Sequence, residues 1–329
     1  MLRKCEKKFS SISIVISLFC FLFAGCSSLE KTPSFALKGR IKVLSTTAMI
    51  DDVVAKVGGK RVENSVLIIG EIDPHSYELV KGDDEKISEA SLVFFSGLNL
   101  EHGASLRYKI ASHPHSISLG EFLLKNYPNE ILFEHDQPDP HVWMDVSLWS
   151  YTIEPILMAL IVADPEGKEY YEERARIAFE EMIQFHQKLR KSLQEIPENR
   201  RYLVTSHDAF TYFTRAYLAT DEELLLKNWR DRFAAPEGFS PDGQLGTGDL
   251  QKIVDYIVKH QIHVVFPESN VSPDSLKKIV FACKEKGLMI RCSSEALYGD
   301  SMGPVGTASG SYLGMMNHDG MVLLKQWGQ

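Results

Sequence analysis

The chain contains the tripeptide Asp-Pro-His twice, and each copy ends in a histidine that could bind a metal ion. The copies lie in "EIDPHSYE" and "DPHVWMD" and supply His75 and His141. The residue before a proline is kept out of the helical region, so Asp-Pro forms a stiff corner and the next side chain leaves it in a fixed direction. The repeat therefore indicates two imidazoles held in set orientations.

A third histidine and one aspartate complete a candidate metal site. His207, in "VTSHDAF", directly follows the strand pattern "YLVTS" and precedes a helical pattern. Ligands in open α/β sheets gather at the carboxyl ends of strands, so the three histidines can converge. Three imidazoles suit zinc, iron or another first-row metal, and one carboxylate would close a four-ligand shell. Asp300, in the glycine-flanked loop "LYGDSMG", is the candidate for that carboxylate.

Three further aspartates lie next to these ligands in sequence and could orient the imidazoles from behind. They are Asp73, Asp139 and Asp208. His113 and His115 form an H-x-H pair that could chelate, but they lie in a polar connector. The remaining histidines, which include His102, have no partner pattern.

The sequence gives little support for an enzyme, because the common catalytic motifs are absent or incomplete. There is no H-E-x-x-H and no G-x-S-x-G, "GTGDLQ" lacks the third glycine of a dinucleotide loop, and "GGKR" is no P-loop. A closed four-ligand shell would leave no position for an activated water. We therefore expect no enzyme; the alternatives are an exported metallohydrolase and a surface adhesin with a structural metal. The formal net charge of -8 argues against nucleic acid as a partner.

The N-terminus is typical of an exported protein. Residues 1–25 combine a basic start with a short apolar run, as in a signal peptide. "FAGC" resembles a bacterial lipobox with Cys26 as the lipidated residue, although Phe23 stands where leucine is usual and cleavage by ordinary signal peptidase is the alternative. Residues 26–38 would then be a polar tether. The sequence thus predicts a periplasmic protein held at a membrane by an N-terminal lipid.

Two cysteines remain in the predicted mature domain. Cys283 and Cys292 would meet an oxidising compartment after export and could form a disulfide. The alternative is two buried free thiols, and neither cysteine has C-x-x-C spacing.

The chain as a whole predicts an α/β fold of two β/α lobes with parallel sheets, joined by one long helix, with the metal site in the cleft between the lobes. Short apolar runs alternate with helical patterns over residues 39–165 and again over 198–329. Between them, residues 166–197 hold no internal proline or glycine apart from Gly167 and end at Pro197. One apolar stripe runs along this segment, at Ala178, Met182, Phe185, Leu189, Leu193 and Ile196.

Several segments resemble the metal-binding solute-binding proteins of ABC transporters, the TroA, PsaA and ZnuA relatives. They run in order from about residue 40 to the C-terminus: "DPHSYE", "SGLNLE", "DPHVWMD", "VTSHDAFTYF", "VVFPESNVSPDSLKKI", "LYGDSMG" and "GSYLGMM". The resemblance implies metal ligands at His75, His141, His207 and Asp300. It also implies a monomeric receptor that captures one divalent ion (Fe²⁺, Mn²⁺ or Zn²⁺) and delivers it to an ABC permease.

The chain departs from its zinc-specific and manganese-specific relatives in different places. The stretch before the second histidine is only "FEHDQPD", without the long His-rich loop of dedicated zinc proteins. His207 stands where manganese-selective relatives have glutamate. The family's usual tryptophan after the G-L-x-L-E run is absent, and "HGAS" follows instead. In its lipobox and its lack of a His-rich loop, the chain looks most similar to the TroA-type branch. The sequence does not choose the metal.

Overall fold

The computed structural model describes residues 39–240 and 247–328. The predicted signal peptide 1–25, the lipidation site Cys26 and the tether 26–38 lie outside the described residues.

The first group of elements is a four-stranded parallel sheet flanked by helices. Its strand order is β2-β1-β3-β4, and each neighbouring pair is parallel. The strands are β1 (Ile41–Ser45), β2 (Val62–Val66), β3 (Leu92–Phe95) and β4 (Ser116–Ser118). The helices are α1 (Ala48–Gly58), α2 (Asp83–Glu89), α3 (Ala104–Ser112) and α4 (Leu119–Asn126). Parallel strands covered by helices bury their apolar runs, and this is the β/α alternation that the sequence predicts.

One long helix leaves this group after a short hairpin and two smaller helices. These are β5 (Phe133–Glu134), β6 (Gln137–Pro138), α5 (Val146–Trp149) and α6 (Ile153–Ala163), and the long helix is α7 (Lys168–Gln194). Helix α7 has 27 residues, which corresponds to about 40 Å. Most of its predicted apolar stripe is buried, from Ala178 to Ile196, and Phe185 is half-buried. The stripe packs against α1, α6 and the C-terminal helix of the same chain.

The second group repeats the β/α alternation with shorter strands. Strands β7 (Leu203–Val204) and β8 (Phe233–Ala234) pair in parallel, as do β9 (Val264–Val265) and β10 (Arg291–Cys292). The amide of Phe266 donates to the carbonyl of Val204 (2.9 Å), which places β9 beside β7. The helices are α8 (Thr211–Phe213), α9 (Asp221–Leu226), α10 (Thr247–His260), α11 (Asp274–Glu285) and α12 (Tyr312–Trp327).

The predicted helix after His207 is shorter than its sequence pattern indicates. Helix α8 covers three residues and continues as a π-helical turn over Thr214–Leu218. The tyrosine of that turn is buried against two other elements: the Tyr217 hydroxyl accepts a hydrogen bond from the amide of Val146 (3.1 Å) and lies 3.2 Å from Nδ1 of His186 in α7.

The two cysteines of the described residues, Cys283 and Cys292, are free thiols in the structure. Cys283 lies inside the apolar cluster of the second group, and Cys292 packs against the same cluster from β10. Burial raises the pKa of both thiols and disfavours the thiolate that disulfide exchange requires.

Candidate metal centre

Both Asp-Pro-His corners have the same local hydrogen bond. In the first, Asp73 Oδ1 accepts from the amide of His75 (2.8 Å), and in the second, Asp139 Oδ1 accepts from the amide of His141 (3.0 Å). An aspartate that binds the backbone two residues on closes a tight turn. The repeated tripeptide is therefore a repeated turn that sets the direction in which each imidazole leaves the backbone.

His207 is fixed by a carboxylate from a neighbouring strand. It follows β7, and Glu268 follows β9. Glu268 Oε1 accepts from the amides of Ser206 (2.9 Å) and His207 (2.8 Å). The hydrogen bond from Phe266 to Val204 sets β9 beside β7, and the bonds to Glu268 show that the segments after the two strands meet. Ligand sites of α/β folds form at such strand ends.

Asp300 lies in the loop after β10 that is held from two sides. On one side, the indole Nε1 of Trp143 donates to the carbonyl of Gly299 (2.8 Å). On the other, Asp319 of α12 accepts from the amide of Tyr298 (2.9 Å). The carboxylate itself accepts from the Asn270 side chain at 3.2 Å.

The four predicted ligands converge. One atom from each of His75, His141, His207 and Asp300 lies within 4.8 Å of all the others. His75 Nε2 and His141 Nε2 are 3.2 Å apart, and Asp300 oxygens lie 3.7, 3.4 and 3.0 Å from the Nε2 atoms of His75, His141 and His207. Bonds of about 2.1 Å at tetrahedral angles separate ligand atoms by about 3.4 Å. The cluster has the dimensions of a first-row metal site, and its residues are at most 3% exposed.

Two carboxylates lie behind the imidazoles, and only one of them was predicted to. Asp139 Oδ1 is 2.7 Å from His141 Nδ1, as the sequence indicates. The prediction that Asp208 orients His207 is wrong, because Asp208 Oδ1 accepts from the Thr211 hydroxyl. The carboxylate behind His207 is that of Glu268, whose Oε2 lies 2.7 Å from His207 Nδ1. Asp73 accepts from the amide of His75 and from the Ser76 hydroxyl (2.6 Å) instead of orienting the His75 ring. Sequence reasoning missed Glu268 because it is 61 residues away from His207.

Burial and neighbouring charges shift the pKa values of the four clustered residues. Burial lowers the pKa of His75 to about 3 and that of His141 to about 4, so both rings are neutral at pH 7. Burial alone would lower the pKa of His207, but the carboxylates of Glu268 and Asp300 on its two sides raise it well above its usual value. Burial would likewise raise the pKa of Asp300, and His207 followed by the other imidazoles lowers it. The raised pKa favours a protonated His207 ring in the metal-free protein, with Nε2 3.0 Å from Asp300.

One histidine without a sequence pattern lies beside the cluster. The ring centre of His102 is 5.8 Å from that of His75. The pair His113 and His115 contact each other at 6.4 Å between ring centres, and His113 Nε2 lies 3.1 Å from the carbonyl of Ala90.

Comparison with known sequences gives consistent matches along the described chain. A family model named zinc-uptake complex component A periplasmic (ZnuA) matches residues 43–325. The metal-binding protein YtgA of Chlamydia trachomatis is 41% identical over 283 residues, which is 86% of each chain. The manganese-binding lipoprotein MntA of Bacillus subtilis is 32% identical and covers 93% of this chain and 95% of its own.

Solved structures agree with these sequence matches. A crystal structure of Fe(III)-bound YtgA from C. trachomatis superposes with a TM-score of 0.82 at 39% identity, over 88% of this chain and 98% of that one. The periplasmic zinc-binding protein TroA of Treponema pallidum gives a TM-score of 0.78 at 27% identity, over 87% of this chain and 99% of that one. Together with the four converging side chains, these matches show that the chain belongs to the ZnuA/TroA family of metal-binding substrate-binding proteins of ABC transporters.

Proposed function

We propose that this protein captures one transition-metal ion outside the cytoplasm and delivers it to the permease of an ABC transporter. The observation that carries the proposal is the convergence of His75, His141, His207 and Asp300 at one buried point, with ligands from both β/α groups. The metal is cargo rather than a resident catalyst. Family membership favours this function over the metallohydrolase and adhesin alternatives, because the matched relatives are transport proteins.

The donor set fits several first-row ions. Three imidazole nitrogens and one carboxylate suit zinc, iron and manganese, and selectivity among them comes from geometry and supply rather than raw affinity. The names of the relatives include Fe(III), manganese and zinc. We therefore propose Fe, Mn or Zn as the class of cargo.

Cys26 supports the proposed location. A lipid on this residue would hold the receptor near its permease, and MntA is named as a lipoprotein. We propose a monomer, with one lobe over residues 39–165 and one over 198–329, joined by the segment 166–197 that contains α7.

The test is metal analysis of the purified protein with two single variants. We expect a single bound ion in the wild type and loss of tight binding in His75→Ala and in His207→Ala, which remove one ligand from each group. His263→Ala is the matched control, since His263 is exposed and precedes β9, at the opposite strand end from Glu268. Retention of a tightly bound ion in both ligand variants would refute the assignment.

A further inference from the structure

His102 projects from a firmly held segment of backbone between β3 and α3. Its neighbour Glu101 is buried, and Glu101 Oε1 accepts from the Thr46 hydroxyl (2.6 Å) and the amide of Ser96 (2.8 Å). Glu101 Oε2 accepts from the amide of Gly97 (3.0 Å). These bonds tie the segment to the carboxyl ends of β1 and β3. The position of the His102 backbone is therefore fixed, although its side chain is exposed to solvent.

The His102 ring is close enough to the ring of His75, a predicted ligand, for both to bind the same metal ion. Its centre is 5.8 Å from the ring centre of His75. The same distance among the three predicted ligand histidines is 5.2 Å (His75–His141), 5.4 Å (His141–His207) and 6.2 Å (His75–His207). An ion bound through nitrogen lies about 3 Å from each ring centre, so two rings about 5–6 Å apart can share one ion.

The hydrogen bond of His102 leaves the correct nitrogen free. Nδ1 lies 3.3 Å from the carbonyl of Asn99. A carbonyl can only accept, so Nδ1 carries the proton and the lone pair is on Nε2. Ligating histidines commonly donate their second ring nitrogen to a backbone carbonyl in this way, which sets the tautomer and orients the ring. His102 is thus presented to solvent in the form that binds a cation.

His75 is the ligand most able to share an ion. The Nδ1 atoms of His141 and His207 each face a carboxylate at 2.7 Å, from Asp139 and Glu268. Among the described residues, His75 has an ion-pair contact only through Nε2, with Asp300. No carboxylate therefore fixes its ring from behind, and His75 is also the ligand that touches the exposed His102.

We propose that His102 is an auxiliary metal ligand at the mouth of the site, which holds an incoming cation together with His75 before the ion passes to the four buried ligands. The inference rests on the proposed function and names a step within it. A hydrated ion cannot reach residues that are at most 3% exposed without losing water. His102 replaces part of that hydration at the surface, so that ligands are exchanged one at a time. Release follows the same steps in reverse.

The test is the rate of metal loading in the metal-free protein. Co²⁺ is the probe, and quenching of the intrinsic tryptophan fluorescence is the readout, because the Trp143 ring lies 5.4 Å from the His141 ring. We expect His102→Ala to slow loading about tenfold and to slow Co²⁺ release into a chelator by the same factor. The dissociation constant should stay unchanged, since a residue that acts only on the path alters both rates equally.

Two further variants separate ligation from a structural role. His102→Asp restores a donor atom and should recover much of the loading rate, whereas His263→Ala, an exposed histidine at the opposite strand end, should load like the wild type. Loading by His102→Ala at the wild-type rate would overturn the inference, and so would a weaker dissociation constant at an unchanged loading rate. Absence of Co²⁺ binding by the wild type would instead refute the proposed function.

Discussion

The indole Nε1 of Trp143 donates a 2.8 Å hydrogen bond to the carbonyl of Gly299. Trp143 is two residues after His141, and Gly299 is one residue before Asp300. This single bond therefore joins the segment of a proposed histidine ligand, in the first β/α group, to the segment of the proposed carboxylate ligand in the second. The carbonyl of Trp143 in turn accepts from the Tyr312 hydroxyl of α12 (2.5 Å). The two halves of the proposed metal site are thus linked by hydrogen bonds through Trp143.

We expect Trp143→Phe to weaken metal binding about tenfold. The change keeps an aromatic ring but leaves the buried Gly299 carbonyl without its donor, at a cost of about 1–3 kcal/mol. Isothermal titration with Zn²⁺ measures the affinity, and thermal unfolding measures the stability. Trp149→Phe is the matched control, because Trp149 is equally buried and its Nε1 has no hydrogen-bond partner among the described residues. If the two substitutions weakened metal binding equally, the hydrogen bond from Trp143 to Gly299 would not support the metal site.

Glu268→Gln should lower metal affinity by about 10–100-fold, the usual effect of removing the group behind a metal-bound histidine. The amide can still accept from the backbone of His207 through one oxygen, but its NH₂ group would then face Nδ1–H. Competition with a fluorescent chelator measures the change. Glu295→Gln, which alters an exposed carboxylate paired with Lys325, should bind metal normally. A Glu268 variant of wild-type affinity would rule out this role.

Metal binding should release between one and two protons per ion at pH 7. The pKa of His207 is raised, so its ring is charged in the metal-free protein and must lose a proton to bind. His75 and His141 are already neutral, since their pKa values are lowered to about 3 and 4. Burial raises the pKa of Asp139 to about 8, and a cation on His141 would favour its ionised form.

The sign of the pH dependence follows from His207. Below its raised pKa, affinity should fall about tenfold for each proton released and each unit of pH lost. Titration calorimetry in two buffers of different ionisation enthalpy counts the protons. A result of zero protons at pH 7 would show that His207 is neutral before the metal arrives.

In the denatured protein, Cys283 and Cys292 should both be alkylated without prior reduction. Mass spectrometry of tryptic peptides counts the labels, and a disulfide-linked peptide pair would contradict the free thiols. Cys283→Ser should destabilise the fold by about 1–3 kcal/mol, because it places a hydroxyl in the apolar cluster. Cys292→Ser, at a half-buried position, should cost less in the same urea unfolding experiment.

The sequence alone determined the features that depend on local chemistry. The Asp-Pro-His corners could be predicted from the sequence because each aspartate accepts a hydrogen bond from the amide two residues further along the chain. This contact needs no other part of the chain. The same holds for the apolar stripe on α7 and for the alternation of apolar runs with helical patterns. Both could be predicted because periodicity is a property of neighbouring residues. All four residues that meet in the cluster could be named in this way.

Only the tertiary structure decided which groups support those four residues. Glu268 reaches His207 because β9 lies beside β7, and Trp143 reaches Gly299 across 156 positions of chain. His102 lies against His75 because Glu101 ties its loop to β1 and β3. Such contacts depend on which strands become neighbours in the fold. The order of the strands in a sheet cannot be predicted from short-range sequence patterns. Asp208 was the natural candidate by proximity in sequence, and the fold turns it toward Thr211 instead.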